Sequence, residues 1–162
     1  MFGNALKLFP DQTTRQRVLV ISALALLVVV PAGASAQKTD GQPAFSDYKG
    51  IQIGTPAIEA RKKLGNPKDK SDEQDFYLIN DNQAVQIFYD KAKTVNAISI
   101  DFMSGATGIP SCKQVLGDEV QPKSDGSVYK LTRYPKAGFW VSYSRTAGDT
   151  PTVTITMQKI DH

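Results

Sequence analysis

A Ser-x-x-Lys pattern is one of two stretches in this sequence whose residue types and spacing could carry chemistry. In enzymes that use this pattern, the serine is the nucleophile and shares one face of a helix with the lysine. Here Ser127 and Lys130 fall in a strand-like run, where side chains three positions apart point to opposite faces. The Lys-Thr-Gly pattern that accompanies the motif is also missing. We therefore expect no catalytic residue here.

An acidic run is the second such stretch. It alternates oxygen-bearing side chains as the first half of a calcium loop does, at Asp69, Ser71, Glu73 and Asp75. However, Gln74 stands where such a loop needs glycine, and Asn80 stands where it needs a bidentate glutamate. We expect a solvated acidic loop and no metal. A carboxylate pair of a hydrolase stays an alternative, because separation in the fold decides that chemistry.

Cysteine and histidine are almost absent from the 162 residues, since only Cys112 and His162 occur. Two such residues cannot form a Cys/His zinc site, a disulfide framework or a His-based triad. We expect no cofactor. Cys112 is interpreted as a small buried hydrophobic residue, with an intermolecular disulfide as the alternative.

Repeated aromatic residues give the strongest indication of function. If Ile87/Tyr89 on one strand and Phe139/Val141/Tyr143 on another face the helices, then Phe88 and Trp140 point to the uncovered face of the sheet. Tyr77 and Tyr129 are expected to join them as binding residues, although the direction of their side chains stays open. Exposed aromatics grouped on a sheet are typical anchors for a protein partner. The alternative is internal packing, under the preceding segment or between two halves of the domain.

The elements that position these residues begin with a helix. Thr55 is expected to be its N-cap, Pro56 to occupy its first position and Gly65 to end it. One apolar stripe follows helical spacing, at Ala57, Ala60 and Leu64. Three strands of a meander are then predicted, at Asp75–Asn80, Gln83–Tyr89 and Asn96–Phe102.

The same pattern then repeats. Ser111 is expected to cap a second helix, and Leu116-Gly117 matches Leu64-Gly65 at an offset of 52 residues. At that offset Tyr77 matches Tyr129, and Phe88 matches Trp140. The sequence therefore predicts an α+β fold of tandem αβββ repeats, over residues 48–108 and 109–162. Two short helices are expected to pack on one face of an antiparallel sheet.

The first 36 residues have the features of a signal peptide. A basic start precedes the apolar run Val18–Val30, and Ala34-Ser35-Ala36 provides the small residues that a signal peptidase needs. The alternative is an uncleaved membrane anchor. Residues 37–47 are expected to be a flexible tether. The protein is therefore expected to be exported, to the periplasm or beyond, and to contact a membrane only through an uncleaved N-terminus.

Nucleic acid is not an expected partner. The chain has 19 basic and 16 acidic residues, but three of the basic ones and one acidic one lie in the first 36. The remaining charges are nearly balanced and interspersed, with no basic stripe.

The opening of the first repeat resembles a family of small envelope proteins. The matching residues are Tyr48-Lys49-Gly50-Ile51-Gln52-Ile53-Gly54-Thr55, then Glu59 and Leu64-Gly65-Asn66-Pro67. They are similar to the opening of small outer-membrane lipoproteins of the β-barrel assembly machinery and of the tandem β-lactamase-inhibitor-protein-like fold. The lipid-bearing cysteine of the lipoproteins is absent. The resemblance implies helices packed on a sheet whose other face binds proteins.

These observations favour an exported, non-enzymatic module that binds a protein partner in the cell envelope. The binding residues are expected to be Trp140, Phe88, Tyr77 and Tyr129. A carrier of a small ligand or lipid in the groove between repeats is one alternative, and a hydrolase with converging carboxylates is another. The oligomeric state stays open.

Overall fold

The computed structural model describes residues 41–160. The expected signal peptide and the first part of the expected tether lie outside these residues. Residues 41–47 contain no helix or strand, and Phe45 packs against the core. Within residues 41–160, no helix has both the length and the apolar character needed to span a membrane.

Helix α1 runs from Ala57 to Leu64. Ala57 and Ala60 are buried and Leu64 packs against the core, as the apolar stripe predicted. Gly65 ends the helix, and its N–H donates a hydrogen bond to the carbonyl of Arg61. Its φ of 84° lies in a region that glycine adopts without strain.

The expected N-cap of α1 is wrong. Thr55 Oγ1 accepts a hydrogen bond from the Gln52 N–H at 3.0 Å, and no side chain caps the helix. The cause is a second set of bonds: the Gly54 N–H and the Thr55 carbonyl both pair with the backbone of Val95. This pairing holds the segment before α1 against the sheet, and the Thr55 side chain closes the preceding turn.

Helix α2 runs from Cys112 to Leu116 and has the expected cap. Ser111 Oγ accepts a hydrogen bond from the Gln114 N–H, and Gln114 Oε1 accepts one from the Ser111 N–H. This reciprocal arrangement is a capping box. Gly117, with φ of 80°, ends the helix.

Seven strands form one antiparallel sheet, in the order β1-β2-β3-β4-β7-β6-β5. Their bounds are β1 Asp69–Lys70, β2 Gln74–Asn80, β3 Gln83–Tyr89, β4 Val95–Phe102, β5 Val128–Tyr134, β6 Phe139–Arg145 and β7 Val153–Lys159. The three predicted strands of the first meander are confirmed to within one residue. The two-residue strand β1 was not predicted. The molecule is therefore an α+β fold built on one sheet.

The sheet has two distinct faces, because side chains alternate along each strand. The inner face carries Asp75, Tyr77, Val85, Ile87, Ile98, Ile100, Val141, Tyr143, Ile155 and Met157, all of them buried. Buried side chains of both helices, such as Ala60 and Val115, belong to the same core. The outer face carries Phe76, Leu78, Gln86, Phe88, Ala97, Ser99, Tyr129, Leu131, Arg133, Trp140, Ser142, Thr156 and Gln158.

Candidate functional site

Phe88 and Trp140 lie on the outer face, in one row of directly opposed residues. From β3 to β6 the row reads Phe88, Ala97, Gln158 and Trp140. Neighbouring strands lie about 4.8 Å apart, so three steps separate the two aromatic residues by about 14 Å. Both side chains are half-buried. They therefore stand on either side of a central strip of smaller or polar side chains.

Tyr129 also lies on the outer face, on the edge strand β5, and is 58% exposed. Leu131, two residues along the same strand, is also exposed. On the opposite flank of the sheet, Leu78 is exposed and Phe76 is half-buried. Sequence reasoning missed these last three residues, although the alternation of Tyr129, Leu131 and Arg133 along β5 was a usable signal for one of them.

The structure does not place Tyr77 with these residues. It lies on the inner face opposite Val85 and is only 3% exposed. Its hydroxyl donates a hydrogen bond of 3.3 Å to Asp75, which lies two residues earlier on the same face. Tyr77 is therefore part of a buried polar cluster and is not available to a partner.

Asp75 is the centre of that cluster and is fully buried. Arg61 on α1 donates from Nε to Oδ2 at 2.8 Å and from an Nη atom to Oδ1 at 3.0 Å. The Tyr89 hydroxyl donates to Oδ2 at 2.6 Å, and the Arg61 guanidinium lies over the Tyr89 ring. Sequence reasoning missed the cluster, because its members come from α1, β2 and β3.

The electrostatics of the cluster favour a charged carboxylate. Burial opposes ionisation of Asp75, but hydrogen bonds from Arg61 and Tyr89 outweigh it and lower the pKa of this carboxyl. Burial and the neighbouring carboxylate raise the pKa of Tyr77 to about 12, and they also raise the pKa of Tyr89. The cluster thus holds one carboxylate, one guanidinium and two neutral phenols at neutral pH.

This arrangement attaches α1 to the sheet, because both oxygens of the carboxylate are engaged by donors of the chain itself. A hydrolase would need a carboxyl group with a raised pKa to act as an acid. Asp75 has the opposite shift, and the pKa of Asp90 and of Asp125 is also lowered, chiefly by hydrogen bonds from the Thr94 backbone and the Ser127 side chain respectively. None of these three groups fits that role.

A groove of about 940 Å³ lies over the outer face beside Phe88. Outer-face residues that line it are Gln86, Phe88, Ala97, Ser99, Thr156 and Gln158. At the rim of the groove, Lys93 in the β3–β4 loop contacts Asp72 in the β1–β2 loop. Lys93 Nζ lies 3.2 Å from Asp72 Oδ2 and 3.0 Å from the Asp72 carbonyl oxygen. The groove is open and has a mixed polar and apolar lining.

The acidic run that resembles a calcium loop is split by the sheet. Asp69 opposes Phe76 on the outer side, whereas the Asp75 carboxylate is buried on the inner face. Ser71 Oγ accepts hydrogen bonds from the N–H groups of Glu73 and Gln74. Across residues 41–160, no three His, Cys, Asp or Glu side chains converge on a position for a metal ion.

The remaining chemistry-bearing residues have ordinary local partners. Lys130 lies in strand β5, and its Nζ is 3.0 Å from Asp118 Oδ2. Ser127 immediately precedes the strand, so it does not share a helix face with Lys130. Cys112 is buried at the start of α2, and burial raises the pKa of its thiol. A raised pKa lowers the thiolate fraction that reactivity needs.

Comparisons with protein-family models, with curated proteins and with solved structures found no match for this chain. The residues and geometry of the chain itself therefore indicate its function.

Proposed function

We propose that the protein is an exported, non-enzymatic module of the cell envelope that binds a protein partner through its outer face. The observation that carries the proposal is the position of Phe88, Trp140 and Tyr129 on the side of the sheet opposite the core. No helix within residues 41–160 packs on that side. Large aromatic side chains held outside a core are the usual anchors of protein interfaces.

The shape of the outer face supports a protein partner. Phe88 and Trp140 stand about 14 Å apart on a rigid sheet, by the strand spacing given above. The strip between them consists of small or polar residues, Ala97, Ser99, Thr156 and Gln158. A helix with its side chains is about 10 Å wide, so a helix or loop of the partner fits between the two anchors.

We also propose that the fold consists of tandem αβββ repeats, residues 48–108 and 109–162. The strand order β2-β3-β4 followed by β7-β6-β5 supports this division, since each half contributes three consecutive long strands, with the two-residue strand β1 added to the first. Leu64-Gly65 and Leu116-Gly117 end a helix in each half. The resemblance to the β-lactamase-inhibitor-protein-like fold and the signal-like N-terminus support a role in the envelope.

The first experiment is capture of envelope proteins by residues 37–162, which contain every member of the described core. The Trp140→Ala/Phe88→Ala variant is run beside it. Its matched control is Ile58→Ala, because Ile58 is 79% exposed but lies on α1, away from the outer face. Circular dichroism confirms that each variant is folded. We expect a protein retained by the parent and by the control, and lost from the double variant.

Site-specific photocrosslinking then distinguishes contact from an indirect effect. A photoreactive amino acid at position 140 is expected to crosslink the captured protein, whereas one at position 58 is not. Equal capture by all three proteins, or crosslinks from position 58 alone, would contradict the proposed interface.

The groove beside Phe88 favours a second candidate function, binding of a small ligand. Its volume of about 940 Å³ is within the range of ligand sites. Gln86, Ser99, Thr156 and Gln158 line it beside Phe88, so a polar small molecule fits it better than an acyl chain. Native mass spectrometry of protein purified from its own envelope tests this candidate, and a bare protein mass would contradict it.

A further inference from the structure

Strand β5 leaves a long backbone edge without a partner in the described part of the chain. It ends the sheet and pairs only with β6. No backbone hydrogen bond from another segment within residues 41–160 reaches Val128–Arg133. At the other end of the sheet, the two residues of β1 cover Asp75 and Phe76 of β2, so the β2 edge left without a partner in the described residues is shorter. A seven-residue edge about 24 Å long is therefore the main pairing surface of this sheet.

We infer that this edge pairs with the same edge of a second copy of the chain, antiparallel about a twofold axis at Leu131. The sequence Val128–Tyr134 is self-complementary in this register. On the outer face Leu131 meets Leu131, and Tyr129 meets Arg133. On the inner face Val128 meets Tyr134, and Lys130 meets Thr132. Each of these pairs is apolar, cation–aromatic or polar, so no like charges stand opposite each other.

Neighbouring registers are less favourable. Centring the pairing on Lys130 sets two lysines directly opposite each other, which is destabilising. Centring it on Thr132 sets Leu131 against Arg133 and extends the overlap into Pro135, which has no N–H to donate. The sequence of β5 therefore selects the register centred on Leu131.

The two cations of β5 do not block this pairing, although charge on an edge strand often does. Lys130 is held by Asp118 of its own chain at 3.0 Å. Arg133 is exposed and meets an aromatic ring in the proposed register. Pairing would join the two sheets into one and would bring both outer faces to the same side. The inference does not depend on the proposed protein partner.

Sedimentation velocity over a concentration series tests the dimer, with residues 37–162 and with the full chain. Edge pairing buries less area than a standard interface, so we expect a reversible dimer in the micromolar range. Leu131→Lys sets two cations on the axis and is expected to raise the dissociation constant at least about tenfold. Leu78→Lys is the matched control, because Leu78 is exposed on the outer face but lies far from β5. It should dimerise like the parent.

Disulfide trapping tests the register, and it remains informative even when the Leu131→Lys variant does not fold. In the proposed register, the two Cα atoms at position 131 lie within the range that a disulfide spans, about 4.4–6.8 Å. Mild oxidation of Leu131→Cys should therefore link the two copies. Tyr129→Cys sets its two copies about 14 Å apart along the strands, and it should not link. The native Cys112 is buried and serves as the background.

Four outcomes would overturn the inference. They are a monomer at every concentration, a dimer that Leu131→Lys leaves intact, equal linking by Tyr129→Cys and Leu131→Cys, and amide protection of β5 in a monomeric full chain. The last outcome would assign the edge to another segment of the same chain.

Discussion

The carboxylate of Asp75 is stable in the core because every side of it is engaged. An isolated buried carboxylate is too costly to keep its charge, and it would take up a proton. Here four hydrogen bonds from Arg61, Tyr77 and Tyr89 replace the lost water. The cluster joins α1, β2 and β3, so we assign it a structural role.

Replacing Asp75 should therefore destabilise the fold. Asp75→Asn keeps the shape but removes the charge that holds Arg61, and Arg61 is only 27% exposed. Breaking a buried ion pair costs about 3–5 kcal/mol, and partial exposure of Arg61 reduces this to about 2–3 kcal/mol. Urea unfolding measures the change. Asp72→Asn is the control. Asp72 forms an exposed ion pair with Lys93, and such a pair should contribute less than about 1 kcal/mol to the free energy of unfolding.

The same cluster should limit stability at both ends of the pH scale. Because the pKa of Asp75 is lowered in the fold, its contribution is present above about pH 4 and is lost as the pH falls through the folded-state value. Tyr77, with its pKa raised to about 12, contributes below about pH 10 and loses that contribution as the pH rises towards 12. In Tyr77→Phe/Tyr89→Phe the alkaline loss should shrink. Denaturant unfolding at fixed pH values measures it, and an unchanged alkaline slope would contradict this assignment.

The buried cluster around Asp75 could not be predicted from the sequence. Phe76, Tyr77, Leu78 and Ile79 form an unbroken apolar run, so their period does not tell which side chains face the core. Asp75 stands in an acidic run that is typical of a surface loop, and its partner Arg61 is 14 residues away on a helix. By contrast, the alternation of Val85, Ile87 and Tyr89 along β3 predicts that Phe88 lies on the outer face, where the structure has it.

At the level of elements, the two helices begin in different ways. The capping box of α2 satisfies backbone N–H groups with side chains, whereas α1 begins at a backbone connection to Val95. The C-terminal ends of both helices are predicted correctly from the Leu-Gly pairs in the sequence. The predicted start of α1 is wrong. Thr55 before Pro56 fits an N-cap by residue type, but the sequence does not show the hydrogen bonds from this segment to Val95.

Ser111→Ala should weaken α2 specifically. Loss of an N-cap side chain costs about 1 kcal/mol, and the amides of Cys112–Leu116 should exchange with solvent faster. Thr55→Ala is the matched variant, because Thr55 bonds to Gln52 and not to α1. Hydrogen exchange followed by mass spectrometry should show unchanged protection of Ala57–Leu64 in that variant. Faster amide exchange of α1 in Thr55→Ala would contradict this assignment and would support Thr55 as the N-cap of α1.

At the level of the whole molecule, the two halves share one core. Ile98 and Ile100 on β4 lie opposite Met157 and Ile155 on β7, and all four are buried. A half of about 60 residues separated from its neighbour loses this contact and has a marginal core of its own. Neither half should therefore be stable alone.

Residues 48–108 expressed alone should lack a cooperative unfolding transition. Residues 109–162 should behave in the same way, and mixing the two halves should restore near-ultraviolet circular dichroism of Trp140. Residues 37–162 provide the reference signal. A sharp thermal transition in either isolated half would show that the halves are independent domains.

The position of β7 has a consequence for the order in which the chain can fold. It is the last described strand in sequence, yet it lies at the centre of the sheet between β4 and β6. During synthesis from the N-terminus, β4 therefore has no neighbour on one side until residues 153–159 emerge. Because contacts between distant segments form slowly, most of the chain should stay unfolded until that point. Such a delay suits the proposed export, in which the polypeptide would cross a membrane before it becomes compact.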